Sequence, residues 1–312
     1  MRTRSIAFVT LKKLLRAAAT LLLLTTLVFA ALRASGDPAR ILLPHDAPPA
    51  MVAAYANKYG LDRPIAIQYL HYLSSMIQGD LGGSYINSRP VAEIVAEKLP
   101  ATLALGLAGI LLAIAVGVPT GVVAALRRGS AVDRSAMTTA VALYSMPTFF
   151  FGVLMMLLFS VSLHWVPSAG AESWRSLILP AASLGLGNAA LLARFTRSSL
   201  CEIMQQPFIL AAQARGVPLR RVILRHALPN AAIALMTVAG LMIGSTIVGA
   251  IVTETVFAWP GLGSLFIASV SSRDIPVVQA IILMSATTMI CVNVVVDLLY
   301  GIVDPRIRTT NA

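Results

Sequence analysis

The groups that could do covalent or hydrolytic chemistry are few in this sequence, and their spacing assigns them none. Its only lysines are Lys12, Lys13, Lys58 and Lys98. None precedes Ser or Thr, so the phosphate-cradling pattern Gly-x4-Gly-Lys-[Ser/Thr] is missing and the chain is not expected to hydrolyse ATP alone. His45, His71, His164 and His226 are scattered, with no spacing that would build a zinc site or a catalytic triad. Cys201 and Cys291 stand in cytosolic and intramembrane contexts, which offers neither a disulfide framework nor a thiolate cage. No catalytic residue, metal or cofactor is expected.

Coupling to an ion gradient calls for ionisable groups or broken helices near the bilayer midplane. Residues 101–126, 136–163, 177–193 and 231–252 contain no Asp, Glu, Lys, Arg or His, and Asp297 falls near the inner end of the last apolar run. Proton relays and voltage sensing are therefore disfavoured. The polar residues left inside the runs are Ser145, Thr148, Ser183, Asn188, Ser245, Thr246, Ser285, Thr287 and Asn293. They could line a path, or tie helices together by hydrogen bonds. Pro119 and Pro147 are expected to kink their helices. Gly117-Val118-Pro119-Thr120-Gly121 and Gly240-Leu241-Met242-Ile243-Gly244 fit close helix approach.

The segment 194–230 reads as helix, turn, helix. Pro207 suits the first turn of a short helix over 208–215, and Gly216 suits a left-handed cap. Val217-Pro218 then opens a basic helix with Arg220, Arg221, Arg225 and His226, expected to stop at Pro229. The short helix should expose Ala211, Ala212 and Ala214, small enough to admit another protein's backbone. A docking corner and a plain basic loop touching anionic lipid are both compatible with the pattern.

The elements that must hold these residues follow from composition. The chain has 312 residues with a net charge of 24 − 13 = +11, yet only 12% are charged, 57% are hydrophobic and the mean hydropathy is +0.81. A soluble domain carries about 25% charged residues, so the chain is expected to be an all-α integral membrane protein. Six runs are long enough to span: Leu14–Leu32, Ala101–Leu126, Ala136–Leu163, Leu177–Ala193, Ala231–Val252 and Pro276–Leu299. The first could be a signal peptide cleaved near Ser35, but no small-x-small site ends it, and a retained helix is expected.

Loop charge gives the orientation. Arg2, Arg4, Lys12, Lys13 and Arg16 precede the first run without an acid, Arg127, Arg128 and Arg134 face Asp133, and 194–230 holds six arginines against Glu202. These segments belong inside. Residues 33–98, with six basic and six acidic residues, and the segments 164–176 and 253–275 belong outside. Both termini are then cytoplasmic, and nucleic acid is not needed to explain the charge. In the outer segment, helices are expected from Pro48-Pro49 to Gly60 and from Pro64 to Gly79. The second carries an apolar stripe of Ala66, Tyr69, Leu70, Leu73, Met76 and Ile77, and a third short helix should run from Ser88-Arg89-Pro90 to Pro100.

The run Ala211-Ala212-Gln213-Ala214-Arg215-Gly216, followed after nine residues by His226-Ala227-Leu228-Pro229, resembles the EAA signature of ABC-importer membrane subunits. Leu210 stands where the Glu would be and His226 where the Ile would be. Gly60-Leu61-Asp62-Arg63-Pro64, Gly79-Asp80-Leu81-Gly82, Arg89-Pro90-Val91 and Leu99-Pro100-Ala101-Thr102 narrow the resemblance to the dipeptide, oligopeptide and nickel permease group. Arg127-Arg128-Gly129-Ser130, Trp165-Val166-Pro167-Ser168-Ala169-Gly170, Glu254 to Gly263 and Asp304-Pro305-Arg306-Ile307-Arg308 continue it along nearly the whole chain.

The resemblance implies a type I ABC importer permease fold of six transmembrane helices in a bacterial inner membrane. It divides the chain into a first helix with an outer segment (1–98), a five-helix core (99–304) with the coupling loop, and a tail (305–312). It implies a second homologous permease, two ATPases and an extracytoplasmic solute-binding protein as partners. Ala211, Ala212, Gly216, Leu228 and Pro229 would form the ATPase-coupling loop, and Glu254 to Gly263 an outer-facing re-entry. The cargo is open between dipeptides, longer peptides, glutathione-like solutes and metal chelates. A membrane scaffold would leave the Ala-Ala-x3-Gly corner without a purpose, and an ion-coupled carrier would lack its ionisable groups.

Overall fold

Apolar runs of this length can satisfy their backbone in hydrocarbon only as helices, and the described chain is helical almost throughout. The computed structural model describes residues 2–34, 47–58 and 60–303. Ser35, His45 and the ending from Asp304, including the tail 305–312, lie outside the described residues, as do the side chains of Ser245 and Asp297. Among the described residues no strand forms, and one isolated bridge joins Gly83 to Pro90. The helices are α1 (Arg2–Ala34), α2 (Pro49–Lys58), α3 (Ile65–Ile77), α4 (Val91–Leu126), α5 (Ala131–Ser145), α6 (Thr148–Met155), α7 (Ile178–Ile203), α8 (Pro207–Ala214), α9 (Leu219–Val222), α10 (Leu228–Val256), α11 (Leu262–Ser271) and α12 (Ile275–Val303). Among the described residues three continuous segments are long and apolar enough to cross a membrane: Val91–Leu126, Trp174–Ile203 and Ile275–Val295. Two bent pairs pass the same test, one of them within α10, and in α1 the apolar part is Leu15–Ala31.

The chain forms two compact units, Met1–Pro100 with Gly261–Ile290, and Ala101–Pro260 with Cys291–Ala312. In the first, Val91, Ile94 and Val95 of α4 pack on Val277, Ala280 and Ile281 of α12, flanked by Leu262, Leu265 and Phe266 of α11. The apolar stripe of α3 finds α1. Phe29 lies 5.3 Å from the Tyr69 ring and 5.8 Å from Tyr72, and the Thr26 and Tyr69 hydroxyls are 2.5 Å apart. α1 thus takes Tyr69 together with Tyr72; Leu73 and Met76 are half-buried, and Leu70 and Ile77 stay exposed. Buried Asp274 accepts from the Ser84 hydroxyl at 2.5 Å and from the Tyr85 N–H at 2.9 Å, which fastens the turn before α4 to the start of α12.

In the second unit α4 and α7 press backbone on backbone. A Cβ placed on Gly117 would lie 2.6 Å from the Ala189 carbonyl oxygen, and one on Gly185 2.7 Å from that of Gly109. At Gly121 it would lie 2.5 Å from both the Ala193 carbonyl oxygen and Thr196 Cβ. The expected packing role of Gly117 and Gly121 is therefore met on α7. Without a hydrophobic force between helices in lipid, such approach supplies the dispersion contact that holds them together.

Three sequence expectations change. The helix beginning after Pro90 does not end at Pro100 but runs on to Leu126, 36 residues in all. A proline removes one i→i−4 bond and crowds one carbonyl, which a long helix anchored by packing on both sides tolerates. The run Ala136–Leu163 is not one kinked helix: α5 and the stretch from Thr148 to Ser162 meet at 106°. Met146 is extended (φ −80°, ψ 130°), as a residue before proline prefers, and Pro147 caps a new helix that continues in π form over Met156–Ser162. Finally, the basic helix does not stop at Pro229. A π-helical turn over Ile223–Ala227 leads straight into α10, whose first turn holds that proline. The wider π turn accommodates the ring where an α-turn would clash with the carbonyl four residues back.

Candidate functional site

The corner between α7 and α10 is built from ordinary capping chemistry. α7 ends at Ile203, the turn 204–206 follows, and Pro207 opens α8 at a position where its missing N–H costs nothing. At the far end Gly216 has φ +77°. Its N–H bonds to the Gln213 carbonyl at 2.9 Å and the Val217 N–H to the Ala212 carbonyl at 3.2 Å, the paired bonds of a Schellman cap. The accompanying apolar contact is also present, since Ala212 and Val217 both pack on a cluster of Leu200, Ile209, Val222, Ala227 and Ala231. Val122 and Ala125 at the end of α4 close that cluster from below. The short helix α8 thus sits on the ends of α4, α7 and α10.

The expected coupling residues divide between two faces. Ala211, Gly216 and Pro229 are exposed, while Ala212 and Leu228 are half-buried in the cluster beneath. Ala212 is therefore part of the seat and not of the outer surface, and Ala211 and Ala214 alone keep the small, open face. Arg215, Arg220, Arg221 and Arg225 are exposed around it.

Beside this corner lies a pair not anticipated from sequence. Asp133, 3% exposed at the start of α5, accepts from Arg197 Nε at 2.5 Å and Nη2 at 2.7 Å, and from the Gly129 N–H at 2.8 Å. The Arg197 guanidinium first, and then the Gly129 N–H, hold the Asp133 carboxyl down to about 2. A carboxyl depressed in the folded state adds stability that is complete above the ordinary carboxylate range and is lost only as pH falls toward that low value. The pair therefore stays ionised at every physiological pH. Ser130-x-x-Asp133 is a capping pattern, and the Ser130 hydroxyl does accept the Asp133 N–H. That pattern could have placed Asp133 at a helix start, but nothing local points to Arg197.

A second constellation joins α4 at Ala101 and Thr102 to the end of α10. The Thr102 hydroxyl donates to fully buried Glu254 at 2.6 Å, the Trp259 indole N–H donates to the Ala101 carbonyl at 2.9 Å, and the Gly170 N–H donates to the Phe257 carbonyl at 2.9 Å. Here α10 ends at Val256, Ala258 takes φ +47°, and α11 begins at Leu262, so Glu254 to Gly263 is a helix end, a tight turn and a helix start. Of the polar span residues, Ser183 donates to the Thr148 carbonyl at 3.2 Å and Asn188 to the Thr246 hydroxyl at 3.2 Å, so these four tie α7 to α6 and α10. Among the described residues no His, Cys, Asp and Glu group could hold a metal.

Residues 6–106 match the N-terminal part of a family described as binding-protein-dependent transport system membrane component, and residues 117–309 match its inner membrane component. The chain belongs to this family. It is an ABC importer permease, a non-enzymatic membrane subunit whose ATP is hydrolysed by partner ATPases. Among its relatives, the glutathione transport system permease protein GsiC of Salmonella choleraesuis is 42% identical over 299 residues, covering 96% of this chain and 98% of that one. The protein of the same name from Escherichia coli K12 is 41% identical over the same length. The permease also shares its fold with the inward-facing MetNI methionine ABC transporter, at a TM-score of 0.58 and 19% identity over 68% of this chain and 97% of that one. It is thus a multi-pass membrane protein that works with ATPases and a binding protein.

Proposed function

We propose that the permease is one of two non-identical membrane subunits of an importer in a bacterial inner membrane, with two ATPase subunits and an extracytoplasmic solute-binding protein. Ala211, Ala212, Gly216, Leu228 and Pro229 belong to the coupling loop. Ala211, Gly216 and Pro229 form the outer contour that meets the ATPase, and Ala212 and Leu228 fix that contour to the ends of α4, α7 and α10. The observation that carries this reading is the Schellman-capped corner, in which an exposed eight-residue helix with a small-residue face is seated on three long helices at once. Six spans with both termini inside, an outer segment over 1–98, a core over 99–304 and a tail over 305–312 complete it. The cargo is a short peptide-like solute, and the 42% identity to glutathione permeases supports glutathione as the first to test.

The deciding experiment is uptake of labelled glutathione into vesicles holding the permease, its second membrane subunit, the ATPases and the binding protein. Uptake should require ATP and the binding protein and survive an uncoupler; uptake that persists without ATPase and collapses with the uncoupler overturns the reading. Uptake by copies of this chain with ATPase alone would remove the second membrane subunit from it. The topology has its own test. Reporters fused after Gly129 and after Thr310 should read cytoplasmic and one near Pro167 external, and reversed readings would overturn the charge argument.

A further inference from the structure

Three segments on the side of the membrane that carries the coupling corner converge on one buried carboxylate. Asp133 belongs to the first turn of α5 and Arg197 to α7, 64 residues further on. The Gly129 N–H, from the left-handed residue of the turn that closes α4, points at the same carboxylate. Six residues beyond Arg197, α7 ends and the chain turns into α8. Val122 and Ala125, just before that closing turn, pack under α8 and α9. The corner and the α7 end that leads into it are therefore attached on both sides of the α4–α5 turn, to the end of α4 by an apolar contact and to the start of α5 by an ion pair.

The two attachments resist motion differently. Apolar surfaces can slide with little loss while they remain in contact, because the force between them has no direction. A bidentate guanidinium–carboxylate pair fixes both distance and rotation. Parting it would strand a charge away from water. Asp133 has a further constraint, since Gly129 and Ser130 hold it from its own turn.

We infer that the Asp133–Arg197 pair is a positioning strut that makes α5 follow the coupling corner when the ATPases move it. The inference rests on the proposed role of that corner. A plain structural staple would have the same geometry, so the test must read motion as well as assembly.

Spin labels placed at the exposed positions Gln205 and Ser135, in a Cys201→Ser, Cys291→Ser background, report the distance between the root of α8 and the start of α5 in the complete importer. With the pair intact, that distance should have the same mean and width in the nucleotide-free and vanadate-trapped states. In Asp133→Asn/Arg197→Gln, which leaves no unpaired charge, the importer should still assemble while the trapped-state distance shifts or broadens. Glutathione uptake should fall about tenfold, a loss of the size that altered coupling produces. Arg197→Lys, keeping the charge without the fork, should lie between. An unchanged distance in the neutral double variant overturns the inference. So does loss of assembly in that variant, because the pair would then be a staple. If instead the line shape of a single label at Gln205 in the intact importer does not change on ATPase binding, it is the corner's role that fails.

Discussion

Gly216→Val is expected to reach the membrane in normal amounts and yet to lose ATPase association and uptake together. Gly216 has φ +77°, and a Cβ built there would meet nothing within 4 Å, so the substitution creates no clash. Its cost is in the backbone alone. A β-branched residue held in the left-handed region costs about 1–2 kcal/mol, or else relaxes by leaving it. Relaxation breaks the bonds from Gly216 to Gln213 and from Val217 to Ala212, and with them the direction in which α9 leaves α8. The buried cluster of Leu200, Ile209, Val222, Ala227 and Ala231 lies beneath the cap and should keep the rest of the fold in place. Gly216→Asn separates geometry from composition, since Asn enters the left-handed region readily and should retain most uptake. Arg221→Ala, at an exposed charge, should matter much less. Co-purification with the ATPase and vesicle uptake are the measurements, and full values of both in Gly216→Val would sink the idea.

Gly121→Leu should have the opposite profile, with too little folded permease for coupling to be measured. Its first side-chain atom would have to lie 2.5 Å from the Ala193 carbonyl oxygen and from Thr196 Cβ. Neither can swing away, one being backbone and the other the root of a side chain, so α4 must separate from α7. Overpacking of a tight interior costs about 1–3 kcal/mol, and here the strain also reaches the neighbouring contacts of Gly117 and Gly185. Gly187→Ala is the matched control on the same pair of helices, because a Cβ there meets nothing within 4 Å. The amount of permease in the membrane and its melting temperature in detergent decide the matter. Normal accumulation of Gly121→Leu with an unchanged melting temperature would show that the α4–α7 seam is looser than its geometry.

Pattern and punctuation were legible along the chain because they are local. Apolar length and low charge alone determined an all-helical membrane protein. The Pro207 start and Gly216 cap were readable for the same kind of reason, since a missing N–H and a missing Cβ act within one turn. The order of motifs carried the resemblance to ABC importer permeases, which the family match then established. Proline was where local reading failed. Pro100, Pro147 and Pro229 share the same intrinsic preferences, yet the chain runs through the first, breaks by 106° at the second and slips into a π turn before the third. What surrounds each one, and not its own ring, sets how the lost hydrogen bond is made good.

Partners distant in sequence were decided by the tertiary structure alone. Asp133 could be counted as one acid among basic residues, and Glu254 as one acid in an outer loop. No spacing links Asp133 to Arg197 or Glu254 to Thr102, 152 residues away. The first pairing exists because α5 lies on α7 and the second because α4 lies on the end of α10, neighbourhoods that no spacing along the chain prescribes. The sequence supplied the types and the helices that carry them. Only the packing of helix on helix could choose the partners, because the energy of a buried charge depends on what lies beside it in space and not on what precedes it in the chain.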